Sequence, residues 1–264
     1  MNEPVQVTPR AKLILAPNPG PMTLEGTNTW LLAEPAAARC VVVDPGPDDA
    51  GHVRAIAAAA ADCGLTIDAI LLTHGHPDHA AGAPRLARLC GARVYASDAA
   101  YGDPLGSAYD VEGLHIDVVP TPGHSADSVC FHIAADRAVL TGDHVLGRGT
   151  TVVEHPAGRM GDYLLSLTRV RQLNAALLLP GHGPVVDDPT AVLDNYLRHR
   201  EHRLEQLRKE VATRAATPAE LVQAIYSEVD PRLAPIAELS VRAGLQLLVE
   251  RGVLTREGER YDVA

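Results

Sequence analysis

The chain reads first as a succession of short apolar runs, most of which give way within two residues to Gly, Pro or Asp. Runs at 13–16, 29–33, 40–44, 69–73, 93–96, 116–120, 128–133, 138–141 and 176–179 are four to six residues long and rich in Val, Ile, Leu and Thr. That length and composition predict strands. Apolar residues at helical spacing predict helices near 50–62, 84–90 and 161–173. Strands and helices so interspersed predict a layered α/β domain and exclude a helix bundle.

The pattern changes after residue 190. Val192, Leu193, Leu197, Leu204, Leu207 and Val211 share one face of a helix over 190–214. Arg198, Arg200, Arg203, Arg208, Lys209 and Arg214, interleaved with Glu201, Glu205 and Glu210, are expected on its solvated face. Thr217-Pro218-Ala219-Glu220 combines an N-cap threonine, proline in the first turn and a capping-box glutamate. Helices near 218–229 and 236–251 and two short strands around a Glu-Gly turn in VLTREGERYDV then predict a small winged-helix-like module. The expected organisation is a catalytic domain over 1–190, a connecting helix over 191–216 and the module over 217–264.

Charge narrows the choice of partner. The 264 residues carry a net charge of −10, and residues 195–264 hold 11 basic and 11 acidic residues, so the whole excess lies in 1–194. An acidic surface disfavours non-specific attraction to nucleic acid and to anionic membranes. No apolar run of about 20 residues is present and the first residues lack a signal-peptide core, so a cytoplasmic protein with no membrane association is expected. Cys40, Cys63, Cys90 and Cys130 are scattered without a C-x-x-C pair, which predicts buried thiols in a reducing compartment.

The chemistry is concentrated in THGHPDH, residues 73–79. His74 and His76 are two apart, so extended chain leaving a strand points both imidazoles the same way. Asp78 and His79 follow where the chain turns. Three further ligand-type residues, His124 in VVPTPGH, Asp143 in AVLTGD and His182 in ALLLPGH, each follow an apolar strand and a glycine. Strand ends are where sites assemble in α/β sheets, and glycine permits the tight turn that presents the side chain. Imidazole and carboxylate donors so arranged suit zinc, with manganese or iron as alternatives.

T-H-x-H-x-D-H, then P-G-H, G-D and P-G-H-G, in this order and spacing, resemble the metallo-β-lactamase superfamily. The resemblance implies an αββα sandwich. It also implies that His74, His76 and His124 hold one divalent ion, that Asp78, His79 and His182 hold a second, and that Asp143 bridges both. Two such ions lower the pKa of the water between them and supply a nucleophile for hydrolysis. Asp78 is the candidate base, and His144 is a candidate proton donor. Asp44 in VVVDPG resembles the family's aspartate that fixes a ligand imidazole.

Class B β-lactamases generally lack an aspartate at the position of Asp143, so a β-lactam substrate is disfavoured. The segments NPGPMTLEGTNTWLL, TGDHVLGRGTTVVE and LLLPGHGPVV with NYLRHRE resemble a branch containing a lactamase-β-like endoribonuclease with a C-terminal winged-helix-like domain. That resemblance implies cleavage of single-stranded RNA, with Arg148, Arg159 and the 198–214 helix offering positive charge, and allows a homodimer. The alternative is a small ester or thioester hydrolase of the glyoxalase II type. A DNA-binding regulator is remote, because 235–251 offers only Arg242 and Arg251 against Glu238 and Glu250. Asn28 and Thr29 in GTNTW are further candidates for the neighbourhood of the site.

Overall fold

A computed structural model describes residues 3–227 and 231–264. Seven strands form a first sheet, side by side in chain order: β1 (Val5–Gln6), β2 (Ala11–Leu15), β3 (Asn28–Leu32), β4 (Arg39–Val43), β5 (Thr66–Leu71), β6 (Arg93–Ala96) and β7 (Asp103–Pro104). Strands β1 to β4 pair antiparallel, and β4 to β7 pair parallel. Five strands form a second sheet, β8 (Ala108–Val111), β9 (Leu114–Pro120), β10 (Val129–Ile133), β11 (Ala138–Gly142) and β12 (Leu177–Pro180). They lie in the order β12-β11-β10-β9-β8, antiparallel except for β11 with β12. Helices α1 (Ala50–Asp62), α2 (Pro77–Ala80) and α3 (Ala83–Cys90) fall between strands of the first sheet.

Period-two alternation divides the apolar residues between two cores. Trp30, Leu32, Val41, Val43 and Leu71 of the first sheet form one cluster with Ile116, Phe131, Leu140 and Leu179 of the second. Leu31, Cys40, Val42 and Ile70 point the other way, into a cluster with Val53 and Ile56 of α1 and Leu86 of α3. Because Trp30–Leu32, Cys40–Val43 and Ala69–Leu71 are covered on both faces, these parts of β3, β4 and β5 are continuously apolar rather than alternating.

Contacts divide the chain into two compact units. The first, Met1–Pro120, Asp127–Gly149 and Leu173–Pro189, contains both sheets and α1 to α3. The second comprises Thr121–Ala126, Thr150–Gln172 and Thr190–Ala264. It contains α4 (Met160–Gln172), nearly all of α5 (Pro189–Thr213), α6 (Pro218–Ile225), α7 (Ala234–Glu250) and the hairpin β13 (Leu254–Glu257) with β14 (Arg260–Val263). The capping box at Thr217 and Glu220 is formed as predicted. Helix α6 ends at Ile225, and residues 228 and 229 of the predicted 218–229 helix lie outside the described residues.

Two expectations are corrected. Cys63 is exposed, because it caps the C-terminus of α1, where its thiol accepts from Lys12 Nζ at 2.8 Å; Cys90 is half-buried, and all four cysteines are free thiols. Arg200 and Arg203 leave the solvated face of α5. Arg200 is 3% exposed, and Arg203 is half-buried against the Tyr226 ring, 4.3 Å from its centroid. The short strands β1, β7 and β8 and the single-turn helix α2 had no prediction, since two to four residues give too little periodicity to register.

His52 of α1 is buried with its Nε2 2.9 Å from Thr29 Oγ1, and burial pushes its pKa down to about 4 despite the opposing charge of Asp49. Unfolded chain protonates this imidazole near pH 6.5 and the folded chain does not. The resulting stabilisation is complete above about pH 6.5 and declines as pH falls toward 4, by on the order of 3 kcal/mol. Urea midpoints at about pH 7 and pH 4.5 for the wild type and His52→Gln test this. The wild type loses more stability than the variant, and equal losses would refute the assignment.

Candidate metal centre

Six of the seven sequence-predicted ligands lie in the first unit, beyond the ends of β5, β11 and β12, with Asp78 and His79 in α2. Beyond β5 the chain runs extended through Leu72 and Thr73 into His74 and His76, whose ring centroids are 4.5 Å apart. Proline at the first position of α2 starts a single turn that places Asp78 and His79 one after the other. His79 faces back toward His74, with ring centroids 4.3 Å apart, and toward His182, at 4.9 Å.

Donor atoms converge there. His79 Nε2 lies 3.1 Å from His182 Nε2 and 3.3 Å from Asp143 Oδ1. His182 Nε2 lies 3.1 Å from Asp78 Oδ2 and 3.4 Å from Asp143 Oδ1. Two triads, His74–His79–Asp143 and Asp78–His79–His182, each bring their ligand atoms within 4.8 Å of one another. Imidazole nitrogens facing each other among carboxylates form a donor set suited to a borderline divalent cation, so these residues fit the ions expected of them.

The surroundings set the tautomers. Asp44, 1% exposed, accepts from Thr73 N at 2.8 Å, Thr73 Oγ1 at 2.7 Å and His79 Nδ1 at 2.8 Å. With Nδ1–H donating to Asp44, His79 turns Nε2 inward. Because Thr73 Oγ1 donates to Asp44, it accepts from His74 Nδ1 at 3.0 Å, which likewise directs His74 Nε2 inward. His182 Nδ1 donates to Gly26 O at 3.2 Å. Asn28 Nδ2 donates to the carbonyls of Pro180 and Gly183, both at 2.9 Å, and so clamps the turn that carries His182. Gly75 N donates to Asp127 at 2.7 Å, which ties down the loop between His74 and His76.

Electrostatics follow the crowding. Burial opposes a charge on His79, but the carboxylates of Asp143 and Asp44 outweigh it and hold its pKa well above the ordinary value. Burial and Asp143 push the Asp78 carboxyl up, while the His182 hydrogen bond and the charge of His79 prevail and lower it. Glycine is required at two approaches. A Cβ on Gly181 would sit 2.6 Å from His79 Cε1 and 2.9 Å from Asp143 Oδ1. Gly142, at φ +48°, would place one 2.5 Å from Thr73 Oγ1.

His124 belongs to the second unit, where it is buried and its Nδ1 donates to Val152 O at 2.6 Å. His144 is 1% exposed, with its backbone N–H on Thr141 O. Thr73 and Asp127 carried no sequence signal of their role, since a hydroxyl and an isolated carboxylate acquire it only through their partners.

The model of the metallo-beta-lactamase superfamily matches residues 22–117 and 103–182, which span the ligand-bearing loops. The chain belongs to this superfamily. Residues 217–262 match the beta-lactamase associated winged helix domain. The lactamase-like protein adaB of Aspergillus niger is 38% identical over 208 residues, 76% of this chain and 64% of that protein. The chain thus spans under two thirds of the length of such relatives. The atrochrysone carboxyl ACP thioesterase of Aspergillus fumigatus is 34% identical over 244 residues, 84% of this chain and 75% of that one. A metallo-beta-lactamase family protein from Thermus thermophilus has the same fold, with a TM-score of 0.81, 24% identity and coverage of 97% and 99% of the two chains. Among the described residues no helix is long and apolar enough to cross a membrane.

Proposed function

We propose that this chain is a dinuclear metal-dependent hydrolase acting on a thioester. In this reading His74, His76 and His124 would hold one divalent ion, Asp78, His79 and His182 would hold the other, and Asp143 would be shared between them. The ions are zinc, or manganese or iron, which the same donors accept. When bound they polarise the carbonyl and activate water. The chain's own residues hold that arrangement: Asp44 and Thr73 orient His79 and His74, and Asp78 accepts the proton of the attacking water. A C–O bond forms at the acyl carbon, the C–S bond breaks, and the thiol departs. Thiols have a pKa near 8.5, so they leave as thiolates without a dedicated acid, and His144 is not required as one.

The observation that carries the choice of a thioester over RNA is the fate of the arginines. Polyanion binding requires exposed cations along a track. Arg200 is buried and spends its guanidinium on Thr151 O, while Arg203 bonds Ile225 O and stacks on Tyr226. Arg148 pairs with Glu25 at 2.6 Å, Arg159 with Glu250 at 2.8 Å and Arg208 with Glu205 at 2.8 Å. The thioesterase among the relatives supports the same choice.

Metal-loaded protein is expected to release free thiol from acyl thioesters of N-acetylcysteamine or glutathione. The activity disappears with a chelator and in Asp78→Ala. Labelled single-stranded RNA and a cephalosporin, run alongside, remain intact. Chelator-sensitive RNA cleavage without thiol release would overturn the thioester reading in favour of a ribonuclease.

A further inference from the structure

We propose that Arg200 of α5 and Ser240 of α7 act as positioning residues that fix the imidazole of His124. This rests on the ligand role given to His124 above.

The imidazole of His124 is oriented differently from that of His79. Its Nδ1 lies 2.6 Å from Val152 O and 3.4 Å from Thr151 Oγ1, where His79 has the carboxylate of Asp44. A carbonyl can only accept, so Nδ1 carries the proton and Nε2 presents the lone pair. The fidelity of that arrangement depends on where Val152 O is held. Residues 151–154 form neither helix nor strand, so no ladder of backbone bonds fixes them.

External ties do it instead, one on each side of Val152. Thr151 O accepts from Arg200 Nη2 at 2.5 Å, and Val153 N donates to Ser240 Oγ at 3.0 Å. Glu154 N then returns to His124 O at 3.1 Å and closes the segment against the histidine's own backbone. The Arg200 guanidinium also lies 5.1 Å from the centroid of the buried Tyr163 ring. Tyr163 in turn packs on Gly123, where a Cβ would come 2.4 Å from Tyr163 Cα. Guanidinium, ring and glycine thus hold the backbone on one side of His124, and Ser240 holds the segment that faces it.

Burying a guanidinium against a neutral carbonyl, with its Nε lacking a partner among the described residues, is electrostatically costly. An apolar side chain would fill the same space at less cost. What arginine supplies, and an apolar residue does not, is the bond to Thr151 O. Ser240 lies within the residues matched to the winged helix domain, so that module takes part in holding the segment that orients His124.

The test uses the full chain with Arg200→Met, Arg200→Lys and Ser240→Ala. Long-range 1H–15N spectra of metal-free protein report the imidazole tautomers, with His124 assigned by its loss in His124→Gln. In wild type the His124 ring proton resides on Nδ1 and exchanges slowly. In Arg200→Met and Ser240→Ala it exchanges at least about tenfold faster. Chelator competition then shows one of the two ions bound about 10- to 100-fold more weakly, with the other unchanged. Arg200→Lys retains the charge without the planar fork or the stacking and falls between. A purely structural role would lower Tm and leave the ring proton unmoved, and that result in a folded variant would overturn the inference. Fewer than two ions in the wild type would sink the dinuclear reading, while the ring-proton exchange still decides the positioning of His124.

Discussion

Asp143→Ala and Gly181→Ala are expected to abolish hydrolysis alike, each lowering kcat/KM by about 10^4-fold, or roughly 5 kcal/mol of transition-state stabilisation. Asp143 Oδ1 lies 3.3 Å from His79 Nε2 and 3.4 Å from His182 Nε2, the carboxylate oxygen set between the two imidazoles. In the dinuclear reading its removal would leave two cations with less negative charge between them, so metal content by elemental analysis is expected to fall below two ions per chain. Gly181→Ala deletes no ligand. Its added methyl would stand 2.6 Å from His79 Cε1 and 2.9 Å from Asp143 Oδ1, and β12 with its following turn cannot retreat, because Gly181 N donates to Gly142 O at 2.8 Å and Asn28 N to Gly181 O at 2.7 Å. Distances set to within tenths of an ångström decide coordination. A Gly181→Ala protein with full activity and two ions would show that the ions sit elsewhere.

The second large effect belongs to Asp44. Its carboxylate is buried and accepts three hydrogen bonds, two from Thr73 and one from His79. Removing it strands those donors in the interior, which costs about 3–5 kcal/mol. For a chain of this length that lowers Tm by roughly 10 °C, measurable by calorimetry. Asp44 also adopts φ +51°, a left-handed conformation that asparagine tolerates better than alanine. Asp44→Asn therefore isolates the loss of charge: it retains more stability than Asp44→Ala but binds metal about 10- to 100-fold more weakly, because His79 loses its anionic acceptor. Equal metal affinity in Asp44→Asn and wild type would show that the carboxylate supports only the fold.

These expectations trace back unevenly to the sequence. The nine predicted strands, the helices near 50–62, 84–90 and 161–173 and the long helix after residue 190 all have counterparts within a few residues. The runs of β3, β4 and β11 are buried almost throughout, and local pattern is strongest where burial is continuous. THGHPDH was legible because ligands two and three residues apart are brought together by local chain geometry alone. Asp143 and His182 were legible because each ends a strand after a glycine, and β11 and β12 are parallel neighbours.

The arginines of α5 show the limit of such reading. A helical repeat states which residues share a face, yet Arg200 and Arg203 lie at the border of the apolar stripe. Whether a border residue meets water or protein depends on what packs beside it, here Tyr163 and Thr151 for one and Tyr226 for the other. The roles of Thr73 and Asp127 were equally hidden, and for Asn28 only a place near the site was anticipated, not the carbonyls it holds. Each acts through hydrogen bonds, three for Thr73 and two for Asn28, that reach residues as much as 155 positions away.

By itself, then, the sequence determined the strands and the places of the candidate donor side chains near strand ends, because hydrophobic period and donor chemistry are properties of neighbouring residues. Tertiary structure alone decided which imidazole nitrogen faces inward, which arginines face solvent and which backbone carbonyl orients His124. Those outcomes depend on hydrogen-bond partners and dielectric surroundings that exist only once distant segments have packed.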